Sequence, residues 1–314
     1  MSEIPASIPA VDPDLEKTRK YLPWVVAVAL FMQQLDGTIV NTAVPTMAKS
    51  LEVASLSLKS VLTSYTIAIA VLIPLSGWLA DRFGTKRVFA FAVAIFTLGS
   101  LACGISLNLP MLIASRVLQG IGAAFMMPVG RIALLRTFPK SGILRAMNFV
   151  IIPALLGPLL GPLMGGLIVH WLPWRVIFLI NLPIGILGLW LVKKHMPDHR
   201  GEGIEPLDTK GFILFGTGIA LLSWVLEIFG EHRMDTLRVV ALALVALALI
   251  GAYFWHAMRA PSRCCPSSCF ASGPSGSRSL AGLSPGSGLA ECPSCCRCSI
   301  SSAWASPLGR RVCW

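Results

Sequence analysis

Gly77-Trp78-Leu79-Ala80-Asp81-Arg82-Phe83-Gly84-Thr85-Lys86-Arg87 closes one long apolar run and opens the next with two glycines, one acid and three bases. A hinge this short between two bilayer-length segments has to turn at a membrane surface. Gly77 lets helices approach closely, and Gly84 supplies the positive φ that a tight helix exit needs. Asp81 stands where it caps a helix or pairs with a cation. Arg82, Lys86 and Arg87 read as a cytoplasmic loop.

The rest of the chain has the composition this reading requires. Its 314 residues are 55% hydrophobic and 13% charged, and its mean hydropathy is +0.73. That is too apolar for a water-soluble domain. The formal net charge of +11 in such a chain marks cytoplasmic loops and not a nucleic-acid surface. Residues 1–20 are polar and lack the cleavage pattern of a signal peptide. No phosphate-cradling G-x-x-x-x-G-K-[ST] loop occurs, so no nucleotide or other cofactor is expected.

Eight apolar runs have the ~20 residues needed to span; they lie near 22–45, 58–79, 87–106, 110–130, 146–169, 174–194, 211–229 and 236–257. The expected architecture is an all-α integral membrane protein. Bases alternate with the spans. Lys17, Arg19 and Lys20, then Arg82, Lys86 and Arg87, then Arg131, Arg136, Lys140 and Arg145, then Lys193, Lys194, Arg200 and Lys210, share one side. Lys49, Lys59, Arg175, Arg233 and Arg238 fall on the other. The richer side is expected to be cytoplasmic, with the N-terminus inside.

Several spans carry polar groups that hydrocarbon does not tolerate idly. Asp36 lies roughly 18 Å into the first span at 1.5 Å per residue, near the midplane. A carboxylate there normally faces a bundle interior or a wet cavity, which makes it a proton-site candidate. Gln33 lies beside a stripe of Gln34, Thr38 and Asn41 at helical spacing, roughly opposite Asp36. These are candidates for a substrate cavity or, alternatively, for interhelical hydrogen bonds worth ~0.6 kcal/mol each. Arg116 in the fourth span cannot lose its charge and needs a carboxylate, carbonyls or water as partner; Gln119 follows within one turn and is a further candidate for the substrate cavity. In the fifth span Gly157, Gly161 and Gly165 stack into a bare face, with Gly166 beside them. Pro158 and Pro162 each remove an intrahelical hydrogen bond. Glu227, late in the seventh span, reads as an interfacial acid.

These motifs together resemble the major facilitator superfamily. The Gly77–Arg87 loop resembles its signature G-x-L-a-D-r-x-G-x-k-r between helices 2 and 3. Leu35-Asp36-Gly37-Thr38-Ile39-Val40-Asn41 resembles the L-D-x-T-I-V-N pattern of its drug:proton antiporters. Arg116-Val117-Leu118-Gln119-Gly120 resembles the R-x-x-q-G motif linked there to proton coupling. Gly157-Pro158-Leu159-Leu160-Gly161-Pro162-Leu163-Met164-Gly165-Gly166 resembles the antiporter helix motif. Trp174-Arg175 through Asn181-Leu182-Pro183-Ile184-Gly185 is similar to the fourteen-helix branch.

The resemblance implies an N-terminal six-helix bundle over 22–195, a cytoplasmic linker over 196–210 and two extra helices over 211–257, after a cytoplasmic segment over 1–21. It implies an inner-membrane, proton-coupled exporter of amphipathic or cationic small molecules, not an enzyme, with the C-terminal bundle missing. It also implies that Asp81 lacks its mate, a helix of that second half. The expected partners are the lipid bilayer, protons and the substrate; tripartite efflux partners have no signature here. The alternatives are a nonfunctional truncated fragment and a membrane regulatory protein with a metal-binding tail.

Residues 258–314 do not continue the pattern. Eight of the nine cysteines fall between Cys264 and Cys313, amid Ser, Gly, Pro and Arg without helical period. The Cys292, Cys295, Cys296 and Cys298 cluster lacks a second pair at zinc-ribbon spacing, so no metal is expected. Shifting the codon frame by one base lets Arg263–Ser275 read as LLPLKLFRIRTF, and Ser284–Arg311 read as a bilayer-length apolar run. A frameshift between His256 and Cys264 is the expectation.

Overall fold

The computed structural model describes residues 13–201, 206–231 and 236–259, all helix, turn and loop without a strand. The expected tail therefore lies outside the described residues except at its first two positions, as do linker residues 202–205 and the side chain of Glu227. The chain divides into two units, residues 1–250 and 251–314. Of the second unit only the last turns of the final helix are described.

The helices are α1 (Pro13–Ser50), α2 (Lys59–Leu72), α3 (Leu75–Phe83), α4 (Thr85–Gly104), α5 (Leu109–Thr137), α6 (Lys140–Trp171), α7 (Val176–Leu179), α8 (Asn181–His195), α9 (Thr209–Glu231) and α10 (Thr236–Arg259), with a 3-10 turn over Ser55–Leu58. Among the described residues, eight helical segments are long and apolar enough to cross a membrane. The expected spans undershoot several of them. α1 has 38 residues, about 57 Å at 1.5 Å per residue, so its polar N-terminal turns extend the same helix beyond the hydrocarbon.

Two expected spans are interrupted. The run 58–79 breaks at Ile73–Pro74, because Pro74 has no N–H to give the preceding turn. The Ile73 carbonyl instead accepts from the Ser76 amide at 3.1 Å and the Ser76 hydroxyl at 2.6 Å. The run 174–194 breaks at Ile180 between α7 and α8. α6, in contrast, continues unbroken across Pro153, Pro158 and Pro162. The start of α5 is set by Asn108, whose side chain accepts from the Met111 amide at 2.9 Å.

Packing pairs α1 with α6, α4 with α5, and α8 with α4 and α1; α2 lies on α5 and on α9. Small residues permit the closest approaches. A Cβ on Gly122 would come within 2.6 Å of the Phe96 backbone, and one on Gly99 within 2.7 Å of the Gln119 backbone, so α4 and α5 nearly touch main chain to main chain. The interior falls into two apolar clusters. One contains Val26, Met32, Phe89, Phe96 and Val129; the other contains Ile39, Met47, Leu58, Ile177 and Phe178. Outside, α6 exposes Ile152, Leu155, Leu159 and Leu163, the surface expected of a helix facing lipid or another apolar helix.

Candidate functional site

Between the two apolar clusters lies a polar layer. Asp36 follows Met32 by one turn on α1 and precedes Ile39. Ser100 lies between Phe96 and Cys103 on α4, Arg116 and Gln119 between Leu112 and Ala123 on α5, and Asn181 just past Phe178. Asp36, Ser100, Arg116, Gln119 and Asn181 are all completely buried.

Their hydrogen bonds converge on the carboxylate. Arg116 Nη1 donates to Asp36 Oδ2 at 2.7 Å. Gln119 Nε2 and Asn181 Nδ2 each donate to Asp36 Oδ1 at 2.8 Å. Ser100 Oγ accepts from Gln119 Nε2 at 2.7 Å and from Asn181 Nδ2 at 3.3 Å. Arg116 Nη1 also reaches Gln119 Oε1 at 2.7 Å. The guanidinium lies 4.4 Å from the Tyr65 ring centroid and 5.6 Å from that of Phe178, so two aromatic faces supply further attraction to the cation. Every group aimed at Asp36 is a donor. The carboxylate thus accepts three hydrogen bonds, two on Oδ1 and one on Oδ2, and faces the Arg116 cation as its counter-charge. Arg116 Nε and Nη2 and Asn181 Oδ1 have no hydrogen-bond partner among the described residues.

The other candidates fall elsewhere. Gln34 and Asn41 are exposed and Thr38 is half-buried. Thr38 spends its hydroxyl on its own helix, donating to the Gln34 and Leu35 carbonyls at 3.0 and 3.1 Å. Gln33 is half-buried, with Oε1 unpaired. Gln119, expected on a substrate cavity, is enclosed in the Asp36 layer instead. The glycine face of α6 meets the Gln34–Thr38 side of α1. A Cβ on Gly157 would lie 2.8 Å from Gln34 Cβ, one on Gly161 2.9 Å from Thr38 Cβ, and one on Gly165 2.9 Å from the Ile39 carbonyl oxygen. Gly166 faces open space. Pro158 and Pro162 sit within the same continuous helix.

The Gly77–Arg87 loop forms a second constellation at the other end of α4. Gly84 takes φ +94° as it joins α3 to α4, a conformation glycine adopts without strain. A Cβ on Gly77, by contrast, would meet nothing within 4 Å, so the close approach expected there is not made. Within this half Asp81 pairs with Arg136 Nη2 at the end of α5. Pro197–Gly201, just past α8, closes over the loop. The Thr85 amide donates to the His199 carbonyl at 3.0 Å, and the Gly201 amide to the Asp81 carbonyl at 3.1 Å. The His199 amide donates to Thr85 Oγ1 at 3.1 Å, and His199 Nε2 lies 3.1 Å from Thr137 Oγ1. Burial first, then the nearby Arg136 cation, lowers the His199 pKa below its usual value, with Asp198 opposing. Arg82 stacks over Trp78 at 4.9 Å. Arg87 lies 4.0 Å from Asp198, and Lys86 makes no ion pair among the described residues.

Sequence reasoning passed over Asn181, Ser100 and Tyr65 as members of the site. A lone amide inside an apolar run is the same kind of signal that marked Asp36, so Asn181 was within reach. Ser100 and Tyr65 carry no such signal, since Ser satisfies itself within helices and Tyr is an ordinary core residue.

Eight spanning-length helical segments among the described residues, with an ion pair buried between two helices, make this an integral membrane protein, and comparison with known sequences gives its family. The profile of the Major Facilitator Superfamily matches residues 26–263, and the chain belongs to that superfamily, a family of transporters and not of enzymes. It is 45% identical over 234 residues to a Serratia proteamaculans protein provisionally named multidrug resistance protein MdtD, covering 74% of this chain and 49% of that one. A Yersinia pestis protein of the same name is 44% identical, with 75% and 50% covered. The chain thus spans about half the length of the curated relatives it matches. Among solved structures, the POT family transporter PepTSo superposes with a TM-score of 0.56 at 17% identity, covering 74% of this chain and 52% of that one. That likeness concerns the fold.

Proposed function

We propose that this chain contributes the first bundle, and two further spanning helices, of a proton-coupled antiporter that exports amphipathic or cationic small molecules across an inner membrane. The observation that carries the reading is the buried Asp36 carboxylate, held by Arg116, Gln119 and Asn181 between two apolar clusters. The carboxylate supplies the counter-charge of the buried Arg116, and a proton on it removes that counter-charge. Proton binding therefore has to rearrange contacts among α1, α4, α5 and α8, which couples protonation to helix packing. The named relatives support the substrate class. The clustering of bases at the α1 start, the α3–α4 loop and the α5–α6 junction supports a cytoplasmic N-terminus. The proposed division remains 22–195 for the bundle, 196–210 for the linker and 211–257 for the extra helices. The family match stops at residue 263, just ahead of the cysteine-rich segment, which supports a frame change there.

The test uses a full-length form in which the frame after His256 is restored. In everted vesicles, adding an amphipathic cation should release protons and collapse an imposed pH gradient. Asp36→Asn should abolish that release. Unchanged proton release in the variant removes Asp36 from the mechanism.

A further inference from the structure

At the basic end of the bundle a cavity of about 460 Å³ opens between the first turns of α1 and α6. Its walls carry Arg19, Lys20 and Arg145, with Trp24, Phe138 and Phe149 beside them. Neither the Asp36 layer nor the Asp81 loop uses this cavity.

We propose that it holds the phosphate headgroup of an anionic glycerophospholipid from the adjoining leaflet. Charge is the first reason. Three cations line the space and, among the described residues, no carboxylate does. Among the described residues Arg19 is anchored by one nitrogen only, Nε donating to the Thr137 carbonyl at 3.2 Å, which leaves its two terminal nitrogens for a ligand. Among the described residues Lys20 has no partner beyond the Tyr21 ring at 5.9 Å. Arg145 makes no ion pair or hydrogen bond among the described residues. The cavity also rests on the first turn of α6, whose dipole adds positive potential there. A cationic substrate is disfavoured by the same charges.

Shape is the second reason, and it separates a lipid from a free anion. Trp24 and Phe149 meet edge to face at 4.7 Å on one wall, the interfacial position where aromatic rings sit against glycerol and upper acyl carbons. On α6 the positions three and seven residues beyond Phe149 are Ile152 and Leu156, 62% and 43% exposed. They continue the wall as an apolar track away from the charges. A polar head and an apolar tail are thus accommodated in the order a lipid presents them. Basic pockets between spanning helices are known anionic-lipid sites in general.

The experiment takes the full chain, stripped of lipid in neutral detergent, and titrates it with phosphatidylglycerol or phosphatidylcholine under native mass spectrometry. Phosphatidylglycerol should bind more tightly. Arg145→Gln should weaken it about fivefold, the effect of one base near an anionic surface, and leave phosphatidylcholine unchanged. Arg145→Lys should retain the preference, and neutralising Arg19, Lys20 and Arg145 together should abolish it. Brominated-chain phosphatidylglycerol should quench tryptophan emission in the parent and less in Trp24→Phe, which reports the site even if the triple variant folds poorly. Equal affinity for the two lipids, a preference that survives in a folded triple variant, or quenching unaffected by Trp24→Phe would each overturn the proposal. So would full displacement by millimolar inorganic phosphate, which would make the site one for free anions.

Discussion

Replacing Asp36 by Asn tests whether the polar layer is held together by charge or by shape. The amide is nearly isosteric with the carboxylate, yet it has one acceptor oxygen where the native group has two. If its nitrogen takes the place of Oδ2, it faces Arg116 Nη1 at 2.7 Å, donor against donor. If it takes the place of Oδ1, it faces both Gln119 Nε2 and Asn181 Nδ2 at 2.8 Å. Neither orientation satisfies the site, and both leave the fully buried guanidinium without a counter-charge. Breaking a buried pair in this way costs about 3–5 kcal/mol, a large share of the 5–15 kcal/mol typical of a folded domain. Removing the stranded charge as well should recover much of the loss, so Asp36→Asn with Arg116→Met should be at least about 2 kcal/mol more stable than Asp36→Asn alone. The assay is denaturant unfolding of the full chain in micelles, followed by tryptophan emission, for the parent, both single variants and the double variant. A loss below about 1 kcal/mol in Asp36→Asn, or a double variant no more stable than that single one, would refute the charge-pair reading.

Three further outcomes follow from other contacts. Gly161→Ala should destabilise the bundle by about 1–3 kcal/mol, because the new methyl lands on Thr38 of α1, whereas Gly166→Ala, facing open space, should be neutral or slightly stabilising in the same unfolding assay. The closure of Pro197–Gly201 over the α3–α4 loop should depend on pH through His199. With its folded pKa lowered, the neutral ring contributes stability that is complete above the unfolded value of about 6.5 and is lost as pH falls through the folded value. The protection factors of the Thr85, His199 and Gly201 amides against hydrogen exchange, measured relative to the intrinsic rate at each pH, should therefore fall on acidification, and His199→Gln should flatten that dependence. Sequencing the gene from the Gly251 codon past that of Trp314 should expose a frame change that, once repaired, encodes further spans. A correct frame, with zinc bound by a synthetic 261–314 peptide, would instead make the cysteine segment a domain.

The sequence by itself determined the spanning helices, the α3–α4 turn and the presence of charge in the membrane interior. These are local properties. Hydropathy over a bilayer length, a glycine where the chain must adopt positive φ, and an acid or base among apolar neighbours are each legible within one stretch of chain. Asp36 and Arg116 were therefore found singly. Their pairing, across 80 positions of sequence, depends on which faces of α1 and α5 meet, and side-chain spacing along one helix contains no such information. Tertiary structure alone also decided that Gln119 belongs to the charge layer, that Asn181 and Ser100 complete it, and that Asp81 finds Arg136. The same holds for the glycines: their spacing announced a bare face on α6, but lateral packing chose α1 to fill it and left Gly77 and Gly166 unoccupied. Helices form from hydrogen bonds between near neighbours in sequence, whereas a site forms where distant side chains are brought into one dry space.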